Sequence, residues 1–310
     1  MEKLRILEEE EKYLGRNIRL RDIPQIEIPN YESYVLNDFY DNCKHDRLKN
    51  FISVVSNNMG HCNFYLLYNN LQTLKIEKYS KSKWKRMEPG CRGDYDPFTN
   101  TIRYVNEQNK DTFEHECFHV FSTFYSKLKT HCGFMFYNND IVNFGIGLNE
   151  SYTLFNTYRQ FNIERLPNYA KLSWLIEKII GKEEMELLYS NANLRELLLN
   201  LIQYSDESKA INLINKLDYL YFLLNNREEF FEDINSVNTK MYEIYKNIQT
   251  TLFVMLAKKG TDELYDCLEN DEYVRKSPGM QFNMFSGYQI SNYKVLSKCF
   301  YELKNNNIFY

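Results

Sequence analysis

The chain has 310 residues, 44% of them hydrophobic, and a net charge of −4, which is enough for a large core in one or two domains. The near-even charge balance argues against a strong electrostatic partner such as nucleic acid, and the absence of any run of about 18 apolar residues argues against a membrane span. Tyr (26) and Phe (21) are abundant while Gly (11) and Pro (6) are scarce, so punctuation is sparse and long helices are expected over a many-stranded architecture.

In chain order, residues 1–22 read as a charged helix whose acidic run Glu8 to Glu11 is an exposed face. The amino terminus lacks the apolar stretch of a secretion signal. The seven cysteines (Cys43, Cys62, Cys91, Cys117, Cys132, Cys267, Cys299) form an odd, scattered set without C-x-x-C. Both features point to reduced thiols and a cytoplasmic setting. Residues 31–57 carry a second helical pattern through Tyr34, Leu36, Phe39, Leu48, Phe51 and Val54-Val55. Asn63 to Tyr68 and Leu74 to Tyr79 read as strands joined by a turn at Asn69-Asn70. The basic and aromatic stretch from Lys75 to Arg86, with Tyr79 and Trp84, reads as a solvated loop rather than a nucleic-acid contact. The turn-rich Gly93 to Asn100 leads into a strand at 101–105, which could line a cleft and offer its edge to an extended peptide.

The next segment carries the chemistry. Residues 111–130 hold no Pro or Gly, Asp111 and Glu114 have capping-box spacing, and Phe113, Cys117, Val120, Phe121, Phe124 and Leu128 recur at helical spacing. Within that helix His115-Glu116-Cys117-Phe118-His119 spells H-E-x-x-H. Two His four positions apart leave one helix face a turn apart, so two imidazoles can hold one Zn²⁺ while Glu116 reaches a metal-bound water as general base. The chain has only five His, which makes a chance match rare. A third ligand is supplied by Glu150, in the segment Gly145-Ile146-Gly147-Leu148-Asn149-Glu150 that opens another helical pattern. Three protein ligands leave the fourth position for water.

Tyr152 and Tyr158 flank Glu150 on the same helix and are candidate oxyanion donors, the alternative being that both pack in the core. Tyr288, after Ser286-Gly287, is a further candidate donor. His131-Cys132, just past the motif, lacks the spacing of a second metal pair, and His131 is expected at the cleft mouth. After Pro167 the chain is rich in Leu, Ile, Glu, Lys and Tyr at helical spacing. Helices are expected at about 168–180, 183–190, 193–204, 207–225, 228–258, 261–274 and 286–304, with Pro278-Gly279 as the clearest break.

The order Gly-Asp-Tyr-Asp-x-x-x-Asn-x-Ile, His-Glu-x-x-His, Gly-x-x-Leu-Asn-Glu resembles the gluzincin, or thermolysin-like, group of metallopeptidases, and in particular gluzincin-like proteins of low-GC bacteria. The resemblance covers roughly residues 90–160. It implies that His115, His119 and Glu150 are zinc ligands and that Glu116 is the general base. Such proteins usually carry an acidic residue four positions after the ligand Glu to support the first His, and here that position is Leu154. Asp140, Asn149, Thr153 and backbone carbonyls are possible substitutes. No Gly-x-Met-Glu-Asn segment precedes the motif, which favours an endopeptidase over an aminopeptidase.

The expected fold is α+β: a zincin-like metal domain over 1–165, with a small mixed sheet and an active-site helix, then an all-helical domain over 166–310 closing the cleft. The expected activity is zinc-dependent hydrolysis of a peptide or protein substrate. The competing expectation is a non-catalytic zinc module, closed by a fourth ligand such as Cys132 or His131, or a degenerate zincin fold used for interaction.

Overall fold

A computed structural model describes residues 2–80, 93–105, 112–125, 130–138, 141–161, 169–226 and 234–260, together with two short strand pieces at 280–281 and 289–290. Expected features at Asp111, Leu128, Asp140, Pro278-Gly279 and Tyr288, most of the basic stretch, and the helices at 261–274 and 286–304 lie outside the described residues. The protein is mixed helix and sheet, with helix predominating.

The helices are α1 (Glu2–Leu14), α2 (Asn37–Asn42), α3 (Asp46–Asn58), α4 (Tyr65–Leu71), α5 (Thr112–Phe121), α6 (Ile146–Phe161), α7 (Ala170–Ile180), α8 (Lys182–Ser190), α9 (Leu194–Ile202), α10 (Glu207–Asn225) and α11 (Ile234–Lys259). Several start on a side-chain cap, which satisfies a first-turn N–H that the helix leaves unpaired. His45 Nδ1 accepts from Leu48 N–H, Asn193 Oδ1 from Glu196 N–H and Asp206 Oδ1 from Lys209 N–H. Gly181, at φ +103°, breaks α7 from α8 where a side chain would be strained.

Strands β1 (Lys75–Tyr79), β2 (Gly93–Asp96) and β3 (Thr101–Val105) form one sheet in the order β1-β3-β2. β3 runs parallel to β1, with Lys75 opposite Thr101, and antiparallel to β2, with Gly93 opposite Tyr104. The strand expected to offer its edge is therefore the central one, and both of its edges are occupied. β1 and β2 are the edge strands of this sheet among the described residues, and α5 packs on both β2 and β3.

Two further readings change. Asn63 to Tyr68, expected as a strand, opens helix α4 instead. The Asn63 amide oxygen accepts from Tyr31 and Tyr65 N–H, turning the chain at the helix entry. Asn70 then donates to the carbonyls of Val120 and Thr123, anchoring α4 to the end of α5. Tertiary contacts here outweigh the β propensity of an aromatic run. The motif helix also ends early, at Phe121. The Ser122 and Thr123 hydroxyls bond back to the Phe118 and His119 carbonyls, a pattern that competes with helix continuation. The chain then forms β4 (Thr123–Tyr125), β5 (Thr130–Cys132), β6 (Met135–Asn138) and β7 (Ile141–Phe144), an antiparallel meander in that order. Gly133, at φ +52°, opens the two-residue β5–β6 turn, where a positive φ is required.

The meander joins α5 to α6. Helix α6 packs against α5, α7 and α10, and α1 packs on α10. One cluster of buried apolar side chains runs from Ile6 to Leu256 and draws on both sides of residue 165. No helix among the described residues is long and apolar enough to cross a membrane.

Candidate metal centre

Helix α5 is short and almost wholly enclosed: eight of its residues, from Phe113 to Phe121, are buried, and His115 is half-buried. Its first turn is tied to α3 by a bidentate ion pair from Arg47 to Glu114, the residue before His115. Its face toward α6 presents the two imidazoles. His115 Nε2 and His119 Nε2 lie 3.1 Å apart. Glu150, in the second turn of α6, closes the triangle: Oε2 is 3.2 Å from His115 Nε2 and Oε1 is 3.3 Å from His119 Nε2.

These separations test whether a metal fits. Ligand atoms about 2.0–2.1 Å from a tetrahedral Zn²⁺ stand about 3.3–3.4 Å from one another. The two imidazole nitrogens stand 3.1 Å apart, and each has a different oxygen of the Glu150 carboxylate at 3.2–3.3 Å, spacings close to those of ligand atoms around one such ion. Glu116 joins the group: an oxygen of its carboxylate and ring nitrogens of both His lie within 4.8 Å of one another.

Burial pushes the Glu116 carboxyl up, and the His115 and His119 imidazoles oppose that rise only in part. A carboxylate so raised is a better base near neutrality. Burial alone would raise Glu150, but the charge of His119 and hydrogen bonds from both imidazoles hold it well below the usual carboxylate range. Burial likewise opposes the His119 imidazolium, and the facing Glu150 carboxylate with the Cys132 sulfur overcomes it, so His119 is raised.

The other edge of each ring differs between the two His. His119 Nδ1 lies 3.3 Å from Asn149 Nδ2 and 3.5 Å from Cys132 Sγ, and the Asn149 oxygen accepts from Phe134 N–H. A His that gives Nε2 to a metal keeps its proton on Nδ1. Of these two neighbours only the sulfur can then accept. Cys132 therefore lies on the ring edge away from Glu150, in the place of a supporting partner and not of a fourth ligand. His131 projects from the opposite face of β5, packed 4.9 Å from the Phe136 ring; it is buried and does not sit at a cleft mouth. His115 Nδ1 is buried with no hydrogen-bond partner among the described residues. Of the substitutes expected to support it, Thr153 is bonded to the Tyr189 hydroxyl, Asn149 lies beside His119 and its oxygen accepts from Phe134 N–H, and Asp140 lies outside the described residues.

Tyr152 and Tyr158 are not brought to the trio, and Tyr288 lies outside the described residues. Tyr152 is fully buried, and its hydroxyl donates to Glu177 Oε2 at 3.1 Å, inside a polar cluster with Arg159 and Glu186. This corrects its assignment as an oxyanion donor: it is a core residue. Tyr158 is eight positions beyond Glu150 on α6, about 12 Å along the axis, and it too is not gathered into the site.

A different tyrosine shares a strand face with Cys132. Cross-strand partners in an antiparallel sheet share a face. The face of β4–β6 that carries Cys132, in contact with His119, therefore also carries Tyr125, Thr130 and Tyr137. The Tyr137 hydroxyl is pushed up to about 12 by burial, with Cys132 and Glu150 adding and His119 opposing. It stays a proton donor at neutral pH. Phe98, at the β2–β3 turn, packs edge-on against both Tyr125 and Tyr137, with centroids 6.0 and 6.1 Å apart. Sequence spacing could not find Tyr137, because its place depends on the register of a meander that no local periodicity marks.

Comparison of the chain with family models, with curated proteins and with solved structures returned no match.

Proposed function

We propose that the protein is a zinc-dependent peptidase of gluzincin type that cleaves within peptide chains. The observation that carries this reading is the convergence of His115 Nε2 and His119 Nε2, 3.1 Å apart, on the Glu150 carboxylate, one of whose oxygens lies 3.2 Å from His115 and the other 3.3 Å from His119, with Glu116 beside the two His. His115, His119 and Glu150 would hold the ion. A zinc ion in such a three-ligand site lowers the pKa of a bound water to about 7 and polarises a carbonyl oxygen.

The chain's own residues do the rest. Glu116, buried and raised toward neutrality, accepts the proton of the attacking water and returns it to the departing amine. Tyr137, protonated on the site-facing side of the meander, donates to the carbonyl oxygen as charge develops on it. The outer edge of β2, next to α5, is where an extended substrate can pair through main-chain hydrogen bonds. Cys132 on the Nδ1 edge of His119 and His131 on the far face of β5 speak against a site closed by a fourth protein ligand.

The test is metal content of the purified chain, then digestion of a mixed peptide library by wild type and Glu116→Gln side by side. The expected outcome is one zinc per chain in both proteins, with turnover of the variant lower by about 10²–10⁴-fold. Normal cleavage by the Gln variant would remove Glu116 from the mechanism, and absence of zinc from the wild type would end the reading.

A further inference from the structure

Two of the three candidate ligands share one helix, so their spacing is set by helical geometry. The third, Glu150, depends on how α6 is placed against α5. Helices leave their first backbone N–H groups without internal partners, and the residue that opens α6, Gly145, has no side chain to cap them. The structure meets that need from elsewhere in the chain. Asp218, fully buried on α10, accepts from Gly145 N–H through Oδ2 at 3.0 Å and from Gly147 N–H through Oδ1 at 2.8 Å. A carboxylate at this end of a helix also opposes the positive end of its dipole.

The surrounding contacts fix the same turn. Gly147 brings α6 against the backbone of α10: a Cβ there would stand 2.2 Å from the Leu217 carbonyl oxygen. The Tyr169 hydroxyl donates to the Gly147 carbonyl, and the Ser151 hydroxyl, beside Glu150, donates to the Tyr169 carbonyl. The charge of Asp218 is met by Arg16, whose Nη1 lies 2.9 Å from Oδ2 and whose guanidinium covers the Tyr13 ring at 4.4 Å. A buried ion pair contributes little to stability over a well-packed apolar pair, so its placement on the turn that leads into a candidate ligand calls for a positional explanation. Glu150 is three residues past Gly147, about 4.5 Å along the axis. Metal–ligand distances tolerate only about 0.2 Å, so a shift of this turn is felt at the carboxylate.

We propose that Asp218, charge-paired with Arg16, is a positioning residue for Glu150, holding the first turn of α6 where its carboxylate meets the His115–His119 pair. The inference rests on the zinc reading above. It also makes the amino-terminal segment part of what shapes the site.

The experiment is zinc affinity of the full chain, by competition with a chelating dye, with circular dichroism confirming the fold. Wild type, Asp218→Asn, Arg16→Lys, Arg16→Met, Glu150→Ala and the Asp218→Asn/Glu150→Ala double variant are compared. Asp218→Asn is expected to weaken zinc binding by about tenfold or more. Arg16→Met is expected to do likewise, and Arg16→Lys to stay near wild type. In the Glu150→Ala background the Asp218→Asn effect is expected to vanish, since nothing is left to position. Equal affinity of wild type and Asp218→Asn would overturn the proposal, as would an equal loss in both backgrounds, which marks a purely structural role. If Asp218→Asn does not fold, the Arg16 pair decides: equal affinity of the Lys and Met variants overturns it. A wild type that takes up no zinc refutes the zinc reading itself, which is scored first and separately.

Discussion

His119 has a partner on each ring edge, and the two edges have different tasks. Nε2 faces His115 and Glu150, whereas Nδ1 faces Asn149 and Cys132. A ring held on both sides keeps one orientation, which preorganises a ligand. His115 has no such support among the described residues, because its Nδ1 is buried without a partner and the position one turn after Glu150 is Leu154. The two tyrosines divide in the same way. Tyr137→Phe is expected to keep zinc and lower turnover by about 10²–10³-fold, the cost of one oxyanion donor. Tyr152→Phe is expected to keep turnover and to cost about 1 kcal/mol of stability, since its hydroxyl serves Glu177 in the core. Peptide cleavage and thermal melts of the two variants check both statements. A Tyr137→Phe enzyme with full turnover would remove that residue from the mechanism.

Among the elements, α5 and α6 matter most, and the place of α6 depends on close packing that glycine permits. Gly147 lets α6 lie on the α10 backbone at Leu217, so its replacement acts on a whole helix. Gly147→Ala is expected to destabilise the fold by about 2 kcal/mol or more, as the rigid backbone opposite cannot yield as a side chain could. It is also expected to weaken zinc binding, because Glu150 moves with α6. Chemical denaturation and dye competition measure the two effects. A variant of unchanged stability would show that the helices are not locked there. The four-stranded meander between α5 and α6 contributes in another way: its register places Cys132 and Tyr137 on one face and His131 on the other.

For the whole molecule, Asp218 links three distant parts of the chain, namely the amino-terminal segment, the start of α6 and α10. Its carboxyl is pushed up from 3.8 to about 6, because burial outweighs Arg16 and the Gly145 and Gly147 donors. A carboxyl raised in the native state binds its proton more tightly there than in the unfolded chain. The stability it contributes is complete below about pH 4 and is lost as pH rises through about 6. A shift of about two units corresponds to on the order of 3 kcal/mol. Asn does not titrate, so the stability of wild type relative to Asp218→Asn is expected to decline across this window. Denaturation curves at pH 4 and pH 7 check it, and a difference independent of pH would show that Asp218 does not titrate as described.

Local pattern was enough for much of this protein. H-E-x-x-H, the candidate third ligand at Glu150, the strands at 75–79 and 101–105 and the helices from α7 to α10 could all be read from residue spacing, because helical and strand periodicity is a property of neighbouring residues. Tertiary structure decided what depends on contacts between distant residues. Asn63 and Asn70 made a helix of an aromatic run that reads as a strand. Back-bonding hydroxyls ended α5 early, and β1 and β2 closed both edges of β3. Cross-strand register put Tyr137 on the face of Cys132, core packing took Tyr152 to Glu177, and a carboxylate on α10 took over the cap of α6. Each of these is a hydrogen bond or a packing contact between segments that folding alone brings together, and no periodicity within either segment encodes it.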